Sequence, residues 1–294
     1  MSQDVITIQN SNSAGETLSA TFDPRKGMNL LSYKKGDIEV IDQSTRPLFE
    51  ERAAGLGALI GPHFHRRNSN ILPKISNEKL FPHIAKVKAK GVDDPFSHGI
   101  ARYAPWKAEA SECRSSVTAE LSGQDEWEGV PLADLQGQDF KFQFHADMTV
   151  ESLEITLSIV SKSDSLIGFH YYYALPQRKG SVHSRVRDHY LDQGIQKDMQ
   201  KTWVNNDGNS LEFNLDEEAD YGFFPYLDHT RGEIILDAKT HKLKVNYDCG
   251  NEENTWQLYH PKGASFVCIE PISATNPRKP ILTVSTIQLA LSVV

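Results

Sequence analysis

Four segments of this 294-residue chain hold side chains that could move protons or grip polar ligands. Along Leu166–Leu175, strict alternation sets Ile167, Phe169, Tyr171, Tyr173 and Leu175 on one apolar face of a predicted strand. His170 then faces the other way, beside Gly168 and Tyr172, and an imidazole between a glycine gap and a phenol suits the wall of a ligand cleft. Along Asp94–Trp106, His98 is followed at once by Gly99 and then by Arg102; His-Gly on a loop lets backbone approach a ligand closely. Along Phe266–Pro271, an apolar strand ends in Glu270, whose apolar neighbours would raise its pKa toward that of a useful base. Along Gly61–Asn68, His63 and His65 fall on one face of a predicted strand and suit a metal, whereas Arg66 and Arg67 suit a sugar hydroxyl or a phosphate.

Each segment also has a plainer explanation: a hydrogen-bonded histidine at His170, a structural turn at His98-Gly99, a strand-end carboxylate in solvent at Glu270. A cupin-like metal centre on His63 and His65 lacks the carboxylate expected three or four residues later, the next acidic side chain being Glu78.

The elements that must position these residues are mostly strands. Phe140, Phe142, Phe144, Ala146, Met148 and Val150 alternate with more polar residues, and after Glu151-Ser152 the pattern resumes as Leu153, Ile155, Leu157 and Ile159, which predicts an antiparallel hairpin. Further strands are expected at 5–8, 18–22, 39–41, 117–121, 243–247, 265–270 and 287–293. Helical patterns are few, the best spanning roughly Pro47–Leu59, and no strand–helix alternation suggests a parallel sheet. Gly55, Gly57 and Gly61 mimic a phosphate loop, but the third glycine falls one residue late. The polar stretch Pro176–Val204 reads as a long irregular excursion. One large, all-β antiparallel domain over residues 1–294 accounts for this spread.

A formal charge of -8, with 39 acidic against 31 basic residues and no basic block, argues against a nucleic-acid or anionic-membrane surface. No run of 18 apolar residues could span a bilayer, and the first residues read as no leader, so a cytoplasmic protein is expected. Cys113, Cys249 and Cys268 have neither the number nor the spacing of a disulfide framework or a thiolate zinc site.

Taken together, the segments resemble the aldose 1-epimerase (mutarotase) family, including its hexose-6-phosphate branch. The resemblance rests on His98-Gly-Ile-Ala-Arg102 followed by Trp106, on His170-Tyr-Tyr-Tyr173, on Cys268-Ile-Glu-Pro271, and on Gly61–Arg67, where Arg66 corresponds to a sugar-binding arginine. It departs at Ile100, where the family has Phe, and at His63 and His65; Asp220 is the nearest counterpart of the family's acidic sugar ligand. The resemblance implies a galactose mutarotase-like β-sandwich with few short helices, no metal and no cofactor, acting on a hexose or hexose phosphate. It implies Glu270 as base, His170 as acid and His98 as the group holding the anomeric or ring oxygens, with Arg66, Arg102, Asp220, His63 and Tyr172 binding the sugar. A sugar-binding protein without catalysis and a metal-dependent cupin-like enzyme are the rival expectations, and the oligomeric state is open.

Overall fold

Every second side chain of Phe140–Met148 is buried, and this strand pairs with Leu153–Ser165 in the expected hairpin, matching Phe142 to Ile159 and Phe144 to Leu157. Val150 falls in the turn and is exposed; there Thr149 and Ser152 bond to each other through backbone and side chains. The computed structural model describes residues 5–294, so the first four residues of the expected domain, Met1–Asp4, lie outside it.

Two antiparallel sheets are built around this pattern. The first runs, neighbour by neighbour, through Ile6–Ser11, Thr17–Asp23, Asn29–Lys35, Gly57–Ile60, Gly168–Ala174, Phe266–Ile272, Thr255–His260, Ala219–Pro225 and Ser181–Asp192. The second runs through Lys107–Ala110, Ser116–Ser122, Phe140–Met148, Leu153–Ser165, Leu282–Val293, Lys242–Asp248, Arg231–Asp237 and again Ser181–Asp192. That shared strand pairs with the second sheet through Ser181–Ser184 and with the first through Val186–Asp192, with an irregularity between Val186 and Tyr190 where it changes partners. The inner faces meet in a single large core in which Phe22 packs edge-on to Phe144 at 5.5 Å and the Tyr33 hydroxyl donates to the Leu291 carbonyl at 2.8 Å. Each such buried aromatic contributes about 1.5–3 kcal/mol of apolar transfer. Among the described residues no helix is long and apolar enough to cross a membrane.

Four expectations are corrected here. Pro176–Val204 is not an irregular excursion, because it contains the strand that joins the two sheets. The predicted Pro47–Leu59 helix covers only Arg46–Arg52: Ala53 turns left-handed at φ 54°, and Gly57–Ile60 becomes a central strand between Asn29–Lys35 and Gly168–Ala174. This strand also accounts for the glycines that mimic a phosphate loop. Gly61–Asn68 is a loop rather than a strand, so His63 and His65 do not share a strand face. Glu270 lies inside its strand, Phe266–Ile272, rather than at its end.

Two loops are cross-stitched above the first sheet. The Gly61 amide donates to the His98 carbonyl at 2.8 Å, the His98 amide to Phe64 at 2.9 Å, and the Ala101 amide to Gly61 at 3.1 Å. Below them the Trp106 indole donates to the Ala101 carbonyl at 2.9 Å, and Asn29 donates to the Arg102 carbonyl at 3.1 Å. The crossing admits only glycine at position 99, where φ is +88° and a Cβ would lie 1.9 Å from the Gly61 oxygen. Gly99→Ala is therefore expected to cost at least about 3 kcal/mol in urea unfolding, from overpacking added to left-handed strain. A cost below about 0.5 kcal/mol, the range of a neutral surface change, would show that the crossing is not rigid.

Candidate active site

The register that pairs Gly168 with Ile272 and Tyr171 with Ile269 puts His170 opposite Glu270 on the face turned away from the core. The next two strands extend this wall: Gln257 stands opposite Glu270 and opposite Gly222, and Tyr259 opposite Cys268 and Asp220. The gap beside His170 is not open to a ligand, however, because a Cβ on Gly168 would lie 2.5 Å from the Pro271 carbonyl oxygen. Gly168 instead lets the neighbouring strand approach.

The two loops close a cavity of about 330 Å³ over this wall, lined by His98, Arg102, His170, Tyr172, Asp220 and Glu270 among others. Its size is at the small end of the about 300–1,000 Å³ usual for ligand sites. His170 Nε2 lies 3.4 Å from Glu270 Oε1, and the His98 and His170 ring centroids are 5.2 Å apart. Tyr172 stacks on His170 at 5.0 Å, while Phe64 and His65 pack edge-on against His98 at 4.8 and 4.3 Å. The Ser97 hydroxyl meets His98 Nδ1 at 3.1 Å and fixes the ring, and the Tyr103 hydroxyl donates to the Ser97 carbonyl at 3.1 Å. Arg102 is anchored by Nε donating to the Leu59 carbonyl at 3.3 Å.

Five buried polar atoms among the described residues here find no protein partner: His98 Nε2, Arg102 Nη2, His170 Nδ1, Gln257 Nε2 and Glu270 Oε2. A cavity edged by such atoms suits a polyhydroxylated ligand that can donate and accept. Burial pushes the Glu270 carboxyl well above its ordinary 4.5, with the Arg102 charge opposing and Asp220 assisting. Burial, the Arg102 charge and His65 push His170 well below 6.5. His98 is depressed in the same way, by burial first and then by Arg102. Burial thus weakens the charged forms of both the Glu270 carboxyl and the two imidazoles. The arrangement can do proton exchange with a neutral ligand, because a carboxyl and an imidazole stand 3.4 Å apart on the cavity wall.

Beside the cavity lies a wider groove of about 800 Å³, which shares Phe64, His65 and Val92 with it and is lined by Arg66 and Arg278. Arg66 thus stands in the outer groove and Arg102 in the inner cavity. Both Arg66 and Arg278 act on His65, which burial and these cations, with Arg102, lower to about 4. Gln257, Tyr259 and Arg278 had no motif to mark them; only the pairing of distant strands and loops brings them to the site.

Compared with solved structures, the chain is similar to a Synechocystis protein (18% identity, TM-score 0.67, covering 99% of this chain and 96% of that one). It is similar to a galactose mutarotase related enzyme from Lactobacillus acidophilus (16%, 0.64, 99% and 97%) and to a GalM/aldose epimerase homologue from Caenorhabditis elegans (14%, 0.67, 99% and 99%). The chain thus has the galactose mutarotase-like, all-β fold. No family model and no curated protein matches its sequence.

His63, expected among the sugar ligands, is directed elsewhere. Its Nδ1 meets the Gln136 amide at 3.0 Å and its Nε2 lies 3.2 Å from Asp94 Oδ2, so both ring nitrogens face protein. Arg67 grips the same carboxylate with Nε and Nη2 at 2.8 and 2.7 Å and also donates to the Gln136 carbonyl. Burial alone would raise Asp94, but hydrogen bonds from Arg67 and His63 hold it well below the ordinary 3.8. The network ties Arg67 of the first loop to Asp94 beside the second. Asp94→Asn would leave the nearly buried Arg67 charge uncompensated and is expected to cost on the order of 3 kcal/mol at pH 7. A carboxyl with a lowered folded pKa stabilises above its unfolded value, so this difference should persist down to about pH 4 and shrink only below it. Melting curves that coincide at pH 7 would refute the role.

Proposed function

We propose that the whole chain, residues 1–294, works as one aldose 1-epimerase domain that interconverts the α and β anomers of a hexose or hexose phosphate without metal or cofactor. One observation carries this reading: His98, His170 and Glu270 meet on the wall of one cavity, with a 3.4 Å approach between the last two. Anomer exchange needs one group to take the proton of the anomeric hydroxyl and another to protonate the ring oxygen as the ring opens. Rotation beside the freed aldehyde then lets the ring close on the other carbonyl face with the roles reversed.

His170 and Glu270 work as a pair that shares one proton, and burial disfavours the charged form of each. Sugar hydroxyls donating to Glu270 favour its carboxylate and move that proton toward His170. Glu270 then takes the anomeric proton and His170 protonates the ring oxygen, while His98 Nε2 holds the anomeric or ring oxygens in place. Arg102, Asp220 and Tyr172 orient the hydroxyls of the sugar. The open groove with Arg66 and Arg278, neither of which has an ion-pair partner among the described residues, supports a phosphate substituent.

The pair works only while it holds one proton. Because His170 is lowered and Glu270 raised, kcat/KM is expected to be bell-shaped. It falls at acid pH as the pair takes a second proton and at alkaline pH as it loses the only one. Glu270→Gln should cut exchange at least about 100-fold, read by proton NMR magnetisation transfer on glucose, galactose and glucose 6-phosphate. A carboxyl whose folded pKa is raised destabilises the fold as pH climbs above its unfolded value, so the same variant should melt no lower than the parent at pH 8. Undiminished exchange in Glu270→Gln would sink the assignment, and sugar binding without exchange in the parent would make the chain a binding protein.

A further inference from the structure

Cys268 has no part in the sugar chemistry proposed above, yet its thiol belongs to a buried group with His170 and Glu270 whose ligand atoms all lie within 4.8 Å of one another. The three side chains project from two neighbouring strands on one face, Cys268 opposite Tyr172 and Glu270 one step along the same face, so the ladder fixes their spacing. The separation of His170 Nε2 from Glu270 Oε1 is 3.4 Å. Two ligand atoms held at about 2.0–2.1 Å by a tetrahedral zinc ion stand about 3.3–3.4 Å apart. A thiolate sulfur at about 2.3 Å from the same ion would lie about 3.6 Å from each, so Cys268 has to close by at most about 1.2 Å.

The surroundings also favour an added ligand. Glu270 Oε2, on the carboxylate that would bind, is buried without a partner, and His98 Nε2 is unpartnered within the same cavity. A thiolate, an imidazole and a carboxylate form a donor set that selects zinc-class divalent ions over magnesium or calcium. Thiolate and carboxylate together offset the two positive charges, against which the nearby Arg102 guanidinium stands as the one opposing charge.

We propose that Cys268, His170 and Glu270 form a binding site for a zinc-class divalent cation. Binding releases the thiol proton, and any proton on Glu270, to solvent and leaves a fourth coordination position open to a further ligand. The metal site stands on ligand geometry alone. Its consequence, that occupancy blocks anomer exchange by capturing both proton-transfer groups, rests on the function proposed above.

The test uses Co²⁺ as a spectroscopic probe on the Cys113→Ser protein, which removes the exposed thiol. One equivalent of Co²⁺ should produce a thiolate-to-metal charge-transfer band, and Zn²⁺ should displace it. Cys268→Ala in that background should abolish the band, with circular dichroism to confirm folding. Glu270→Gln, which keeps the thiol, should weaken binding at least tenfold and decides the matter if Cys268→Ala does not fold. Absence of a band in excess Co²⁺, or its survival in folded Cys268→Ala, overturns the site. In the exchange assay, Zn²⁺ should silence the parent, and Cys268→Ala should tolerate at least tenfold more Zn²⁺. Exchange that persists with one Zn²⁺ bound overturns the blocking effect. Co²⁺ binding through Cys268 in a protein that catalyses no exchange supports the site and overturns the function instead.

Discussion

The antiparallel register between Gly168–Ala174 and Phe266–Ile272 is the constraint on which the site depends. Slipping it by one residue would exchange the two faces of a strand, sending His170 into the core and Tyr171 into the cavity. Burial resists that slip strongly, because Ile167, Phe169, Tyr171, Tyr173, Val267 and Ile269 are all fully enclosed on the core side. The Gly168–Ala174 strand is also paired on its other edge by Gly57–Ile60. The hydrophobic core therefore sets the His170–Glu270 separation, and it does so from the opposite side of the sheet.

Two polar clusters a short distance apart illustrate opposite uses of burial. Around Asp94, the charges of Arg67 and the carboxylate are matched, His63 and Gln136 fill most of the remaining hydrogen-bonding capacity, and the result ties two loops together. Around Glu270, an imidazole stands at 3.4 Å, and unpartnered atoms of five residues line one cavity. Folded proteins leave few buried polar atoms unpaired, since each costs about 1–3 kcal/mol. Their concentration here marks the place where stability is given up for a ligand-ready surface.

The shift of titration follows from the same burial. Enclosure raises the Glu270 carboxyl and lowers the His170 imidazole, so it works against the charged form of both. A neutral pair carrying one mobile proton needs little reorganisation to receive an uncharged sugar. In the outer groove Arg66 and Arg278 are exposed to water, where they attract an anion without a comparable cost.

Local sequence periodicity was enough to specify the hairpin of Phe140–Met148 with Leu153–Ser165, the all-β class and the outward face of His170, because a period of two is a property of neighbouring residues. The order His98, His170, Glu270 was legible as motifs for the same reason. Tertiary structure alone decided which partner each side chain meets. The apolar Gly57–Ile60 became a central strand only because two distant strands enclose it, and Ser181–Asp192 became the joint between sheets because each half finds a different partner. His63 looked like a sugar ligand until Asp94 and Gln136, distant in the chain, took both its nitrogens. Gln257 and Tyr259 carried no local mark, because their place at the site comes from strand pairing, and the raised pKa of Glu270 comes from how much protein surrounds it.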